Sequence, residues 1–270
     1  MKSPTLHKYL SLSVASLVGA SCALALDDAP RPEKPNFLLI LADDLGWQDI
    51  QVYDQMETDV VNGFCVTNVF RTPYMNLLAE EGVLFTNAYS PAPTCAPSRV
   101  AIMSGKHPGR SDVTAVFGGH CPKASADDAI GILPHYRSSL KNEEISLAEM
   151  LQAEGSYTGA FGKWHMSPDG HHSSFPQPTD QGFNVAYNGR GVQTVMGDRL
   201  TGFATSAPTD PYQLDDNDMA TDPVTQEALS FLENVVQQEE AFFCYYATWL
   251  VHAPWQVRTE RLLKDYAEQM

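Results

Sequence analysis

The sequence is short of positive charge: 17 Lys and Arg stand against 33 Asp and Glu, a net charge of -16. So acidic a chain is repelled by polyphosphates and anionic bilayers, which argues against nucleic acid or an acidic membrane as its main partner. Cysteine is also scarce, with 5 in 270 residues, too few for a disulfide-stapled scaffold. Long apolar runs are missing too. The most extended one, Tyr9 to Ala20, is too short to cross a bilayer, and no other segment is a candidate span. Internal repeats and low-complexity tracts are absent. What remains is an ordinary globular composition, 43% hydrophobic, 10% aromatic and 19% charged, with enough apolar material for a sizeable core.

Residues 1–25 have the layout of a signal peptide for export. Lys2 and Lys8 flank the start of the apolar run, and Ala23-Leu24-Ala25 offers small residues for cleavage. An uncleaved interfacial anchor, or a lipid anchor at Cys22, is the alternative, and Gly19 disfavours the second because a large aliphatic is usual there. Cleavage would start the mature chain near Leu26 and place it in a secreted or periplasmic, extracytoplasmic setting. Residues 26–35 then form a Pro-rich linker, leaving 36–270 as the folded region.

Within that region apolar runs and helix signals alternate. Asn36 to Leu41 is a continuous apolar run, as in a strand buried on both faces. Thr72-Pro73 opens a helix that Gly82 closes, and Val83 to Tyr89 alternates as a strand does. Pro97 suits the first turn of a helix that stops at Gly105. Ser146 with Glu149 makes a capping box, and Asp222-Pro223 starts a helix with Val224, Ala228, Phe231, Leu232 and Val235 on one face. The run Ala241 to Leu250 predicts a second buried strand, and a last helix is expected over Arg261 to Gln269. The order predicts an α/β fold, a three-layer α/β/α sandwich with a mostly parallel central sheet.

Four segments carry candidate chemistry. Asp43-Asp44 follows the first strand, at the sheet edge where α/β proteins bind ligands. Adjacent carboxylates repel, so a hard divalent cation would compensate them; a solvated acidic turn explains them equally well. Cys95-Ala96-Pro97-Ser98-Arg99 places a thiol at a helix N-terminus, where anions are favoured, with a guanidinium one turn on. A low-pKa thiol or a buried structural cysteine is the plainer account of Cys95 alone. Lys163 and His165, in Gly162-Lys163-Trp164-His165, fall on one side of an extended chain and suit a tetrahedral anion and its protons. His252, in His252-Ala253-Pro254, ends the second buried run. A lysine or histidine at a strand end is more often structural than catalytic when taken singly.

Taken together and in this order, the four segments resemble the formylglycine-dependent sulfatases, arylsulfatase-like members of the alkaline phosphatase superfamily. Cys95 to Arg99 matches Cys-x-Pro-Ser-Arg at every defined position, and Gly155 to His165 is similar to the second signature apart from a displaced Ser156. The resemblance covers about Lys34 to Pro254. It implies that a formylglycine-generating enzyme oxidises Cys95 to an aldehyde whose hydrate attacks sulfur, then expels sulfate. It also implies calcium held by Asp43, Asp44 and residue 95, with Arg99 steadying the hydrate, Lys163 on sulfate, His165 on the hydrate and His252 at the departing alcohol. A serine would leave a sulfate ester as hard to cleave as the substrate, whereas a hemiacetal-type ester collapses unaided.

The implied substrate is a sulfated small molecule or carbohydrate. The resemblance further implies an Asp-Asn ligand pair, a second lysine and a C-terminal subdomain beyond His252. None of these occurs before Met270, so the expected catalytic domain, 36–270, is incomplete. Two readings stay open beside it: a phosphodiesterase or phosphonate hydrolase of the same superfamily, and a non-catalytic remnant. A thiol-nucleophile hydrolase leaves the Asp pair unexplained. The loops Ser111–Asn142 and Ser167–Thr221 are expected to set specificity. His107, His120, His135, His171 and His172 read as structural or surface residues, and Cys65, Cys121 and Cys244 as core thiols or as one disulfide and a spare thiol.

Overall fold

The computed structural model describes residues 33–54, 70–116, 139–167, 176–187, 213–214, 218–252 and 259–268. The signal peptide, Cys22, most of the linker, Cys65, Cys121, His120, His135, His171, His172 and most of the two expected specificity loops lie outside them.

A parallel four-stranded sheet organises the described fold, in the order β1 (Phe37–Ile40), β6 (Phe242–Ala247), β2 (Tyr157–Gly162), β3 (Val185–Tyr187). A two-residue antiparallel pair, β4 (Gln213–Leu214) and β5 (Ala220–Thr221), stands apart from it. The helices are α1 (Gln51–Asp54), α2 (Pro73–Glu81), α3 (Cys95–Ser104), α4 (Pro108–Ser111), α5 (Leu147–Ala153), α6 (Pro223–Gln237) and α7 (Glu260–Ala267).

Strand alternation divides the apolar side chains between two cores. Ala160, Phe243, Tyr245 and Ala247 face Val100 and Met103 of α3 and Ala148 of α5. Phe161, Phe242 and Cys244 face Val224, Ala228, Phe231 and Val235 of α6. Helices therefore cover both faces of the sheet, as expected of the three-layer α/β arrangement. The helix ends follow their sequence signals. Asp222 accepts from the backbone N–H groups of Val224 and Thr225, Ser146 and Glu149 form the capping box, and Gly105 closes α3 in the left-handed region at φ 65°. At Gly162, φ 102°, an added Cβ would lie 2.1 Å from the Ala247 carbonyl oxygen, so only glycine lets β2 lie this close to β6 there.

Three expectations are corrected. Among the described residues β1 pairs with β6 only and is not buried on both faces: Leu38 and Ile40 are 48% and 53% exposed. Val83 to Tyr89 forms no strand, because no described segment offers it a backbone ladder, and Val83, Phe85 and Tyr89 are exposed. The helix expected from Pro97 begins at Cys95, with Thr94 as its N-cap.

Candidate active site

Continuation of the sheet ladder beyond the strand ends builds the site. Past β1, Asp43 donates its N–H to the Leu250 carbonyl (2.9 Å) and accepts from the Val251 N–H (2.8 Å). Past β2, the Lys163 N–H donates to the Ala247 carbonyl (2.8 Å). Asp43, Lys163 and the segment after β6 are thus fixed in register by backbone bonds. Residue 95 arrives from the other direction, at the first position of α3. Its approach loop is held by Ser98 and Ser90, whose hydroxyls both donate to the Ala92 carbonyl (2.8 and 2.7 Å).

The side chains converge on Asp43, which is buried. Lys163 Nζ makes an ion pair and hydrogen bond with its Oδ2, and Arg99 Nη2 lies 3.5 Å from its Oδ1. The Cys95 Sγ sits 3.6 Å from Asp43 Oδ1 and 3.2 Å from Lys163 Nζ. Arg99, only 2% exposed, is satisfied by the Lys163 carbonyl (2.6 Å), the Tyr245 hydroxyl (3.2 Å) and Asp43. Burial by itself would raise the Asp43 pKa, but the Lys163 hydrogen bond and charge prevail, with Arg99 and His252 adding, and hold it below the usual carboxylate value. Asp43 is accordingly a fixed anion at neutral pH.

His252 Nε2 lies 3.7 Å from Asp44 Oδ2, and Asp44 is exposed. Asp43, Cys95 and His252 each present a ligand atom within 4.8 Å of the others. Asp43, Asp44, Cys95 and Arg99 all line a cavity of about 360 Å³. His165 is placed differently from expectation, because β2 ends at Gly162 and strand alternation no longer governs it. It adopts φ 50°, and its Nδ1 is buried with no hydrogen-bond partner. Burial lowers its pKa to about 4, helped by the charges of Lys163 and Arg99, so the ring is neutral at ordinary pH. His107 makes only a local contact, accepting at Nδ1 from the Gly109 N–H (3.2 Å). Cys244 is a free thiol in the core, its pKa pushed up to about 12 by burial.

Two residues of the cluster were not singled out by the sequence. Tyr245 is hidden in the alternation of β6 and holds Arg99. Trp249 lies under Lys163, whose Nζ is 4.4 Å from the ring centroid. A tryptophan three positions before His252 was the one available signal.

A parallel α/β sheet with a polar cluster beyond its strand C-termini is the general layout of an α/β enzyme. The sulfatase family profile matches residues 35–269, and the chain belongs to the sulfatase family. It is 30% identical over 257 residues to the N-acetylgalactosamine-6-sulfatase of Sus scrofa, covering 88% of this chain and 43% of that protein. It is 35% identical over 162 residues to the steryl-sulfatase of Mus musculus, covering 58% of this chain and 22% of that one. The structure of Ps i-CgsB in complex with k-i-k-neocarrahexaose superposes with a TM-score of 0.56 at 23% identity, over 88% of this chain and 49% of that one. A Bacteroides thetaiotaomicron structure from work on glycosaminoglycan metabolism gives 0.56 at 22%, over 87% and 55%. These likenesses show the α/β fold with its parallel central sheet. The chain spans less than half the length of the two curated relatives.

Proposed function

We propose that the chain carries the nucleophile-bearing part of a secreted or periplasmic sulfatase, which hydrolyses a sulfate ester to inorganic sulfate and an alcohol. The observation that carries this reading is the convergence of Asp43, Cys95, Arg99 and Lys163, from three separate segments, on one buried carboxylate.

In this reading residue 95 is converted to formylglycine by a formylglycine-generating enzyme. Hydrated, that group supplies two hydroxyls on one carbon, one to attack sulfur and one to release sulfate. The residues fit a calcium ion, since Asp43, Asp44 and an oxygen-bearing residue 95 give hard donors around one cavity. Asp43, Asp44 and residue 95 would hold it, and its charge would acidify the hydroxyl and offset that of sulfate. The chain's own groups do the rest. Lys163 presents an ammonium beside residue 95 for a sulfate oxygen. Arg99, locked on Asp43 and the Lys163 carbonyl, keeps both in place. His165, neutral at ordinary pH, is assigned to the hydrate of residue 95. His252 hands a proton to the alcohol oxygen as the S–O bond breaks. Sulfated carbohydrate is the substrate class the N-acetylgalactosamine-6-sulfatase relative favours.

Turnover of an aryl sulfate by the mature protein, with and without calcium, tests the assignment. Lys163→Ala is expected to lose at least about 100-fold in kcat/KM with the fold intact by circular dichroism. Near-normal turnover in that variant would remove Lys163 from the mechanism. Faster turnover of an aryl phosphonate diester by the parent would move the chain to a phosphonate-hydrolase reading.

A further inference from the structure

We infer that Trp249 is a positioning residue that holds the Lys163 ammonium at residue 95; the inference rests on the sulfate-ester reading above. Lys163 Nζ directs hydrogen bonds to Asp43 Oδ2 and Cys95 Sγ, and its remaining side lies 4.4 Å over the Trp249 ring centroid. With the side chain 2% exposed, that ring replaces water as the partner of the ammonium, and a ring face attracts a desolvated cation strongly. The backbone fixes the pairing, because the Lys163 N–H donates to Ala247, two residues before Trp249.

A second observation separates this role from ordinary packing. The Trp249 indole Nε1 is buried and makes no hydrogen bond, an arrangement a packing site avoids by using phenylalanine or leucine. The fold tolerates that orphan donor where the ring face is engaged by charge. The same ring meets His252 edge to face, at 6.0 Å between centroids and 87° between planes. One side chain therefore touches both the ammonium and the imidazole. A shorter apolar residue would leave Lys163 without its ring partner, held by Asp43 and residue 95 only, and free to settle against the carboxylate instead of toward an anion at residue 95.

The inference predicts a graded response in two variants. Trp249→Phe keeps a ring face and Trp249→Leu removes it. Proton–nitrogen NMR of the lysine ammonium groups, with the Lys163 signal assigned by its loss in Lys163→Arg, reads the contact directly. The Lys163 ammonium protons should be shifted upfield by the ring in the parent and in Trp249→Phe, and the shift should vanish in Trp249→Leu. Calorimetry with inorganic sulfate on the calcium-loaded mature protein reads the consequence. Trp249→Leu should bind sulfate about tenfold more weakly and Trp249→Phe within about threefold of the parent. An unchanged ammonium signal in a folded Trp249→Leu overturns the contact. Parent-like sulfate affinity in that variant overturns the positioning role even when the signal moves. A parent protein that binds no sulfate instead brings down the sulfate-ester reading, and the role with it.

Discussion

β1 and β6 lie side by side in parallel register, Phe37 against Phe243 and Leu38 against Cys244, and both are apolar throughout. Their surroundings could hardly differ more. Phe243 is 1% exposed and Cys244 fully buried, whereas Phe37 and Leu38 are 42% and 48% exposed. β6 has a strand on each side and a helix layer on each face; among the described residues β1 has one strand neighbour. Apolar composition therefore signals a strand but not its place in the sheet, and place sets how much energy each side chain contributes. Helix α2 and the stretch after it share the exposed condition of β1, with Tyr74, Leu78, Val83 and Phe85 all open to solvent.

The largest expected effect tests that difference directly. Phe243→Ala should cost about 3–5 kcal/mol of unfolding free energy in urea, because it empties a packed position between β6 and α3. Leu38→Ala, on β1, should cost less than about 1 kcal/mol. Equal losses at the two positions would show that β1 is as well covered as β6 and would break the comparison.

The next effect probes the covered side through pH. His165 has its pKa lowered to about 4, against 6.5 when unfolded, so the unfolded chain binds the additional proton between those values. Stability should be unaffected by this group above pH 6.5 and should fall as pH drops from 6.5 toward 4, by on the order of 2–3 kcal/mol. Asp43, with its pKa lowered from 3.8, adds a loss in the same direction at still lower pH. Urea titrations across this range should show the slope in the parent and a flatter one in His165→Gln. An equal slope in both would place His165 in contact with water.

Much of the fold was legible because its signals are local. Asp222 before Pro223, Ser146 with Glu149, and Gly105 each state where a helix begins or ends, and the structure bears them out. So was the order of the four chemical segments, which the fold brings to one end of the sheet. What escaped prediction depends on distant neighbours. Val83 to Tyr89 alternates like a strand yet has no ladder among the described residues. His165 leaves the strand pattern because Gly162 ends β2. The partners that hold Arg99, namely Asp43, Tyr245 and the Lys163 carbonyl, come from β6 and from just past the ends of β1 and β2. Trp249 and Tyr245 act through contacts that no spacing announces.

The central claim is that residue 95 stands where a sulfatase nucleophile belongs and is chemically converted to serve there. Mass spectrometry of the peptide containing residue 95, from protein made by its native host, tests this most directly. The account predicts the aldehyde mass in place of the cysteine mass, with Cys244 in the same sample still a thiol. An intact thiol at Cys95 in that protein would contradict it.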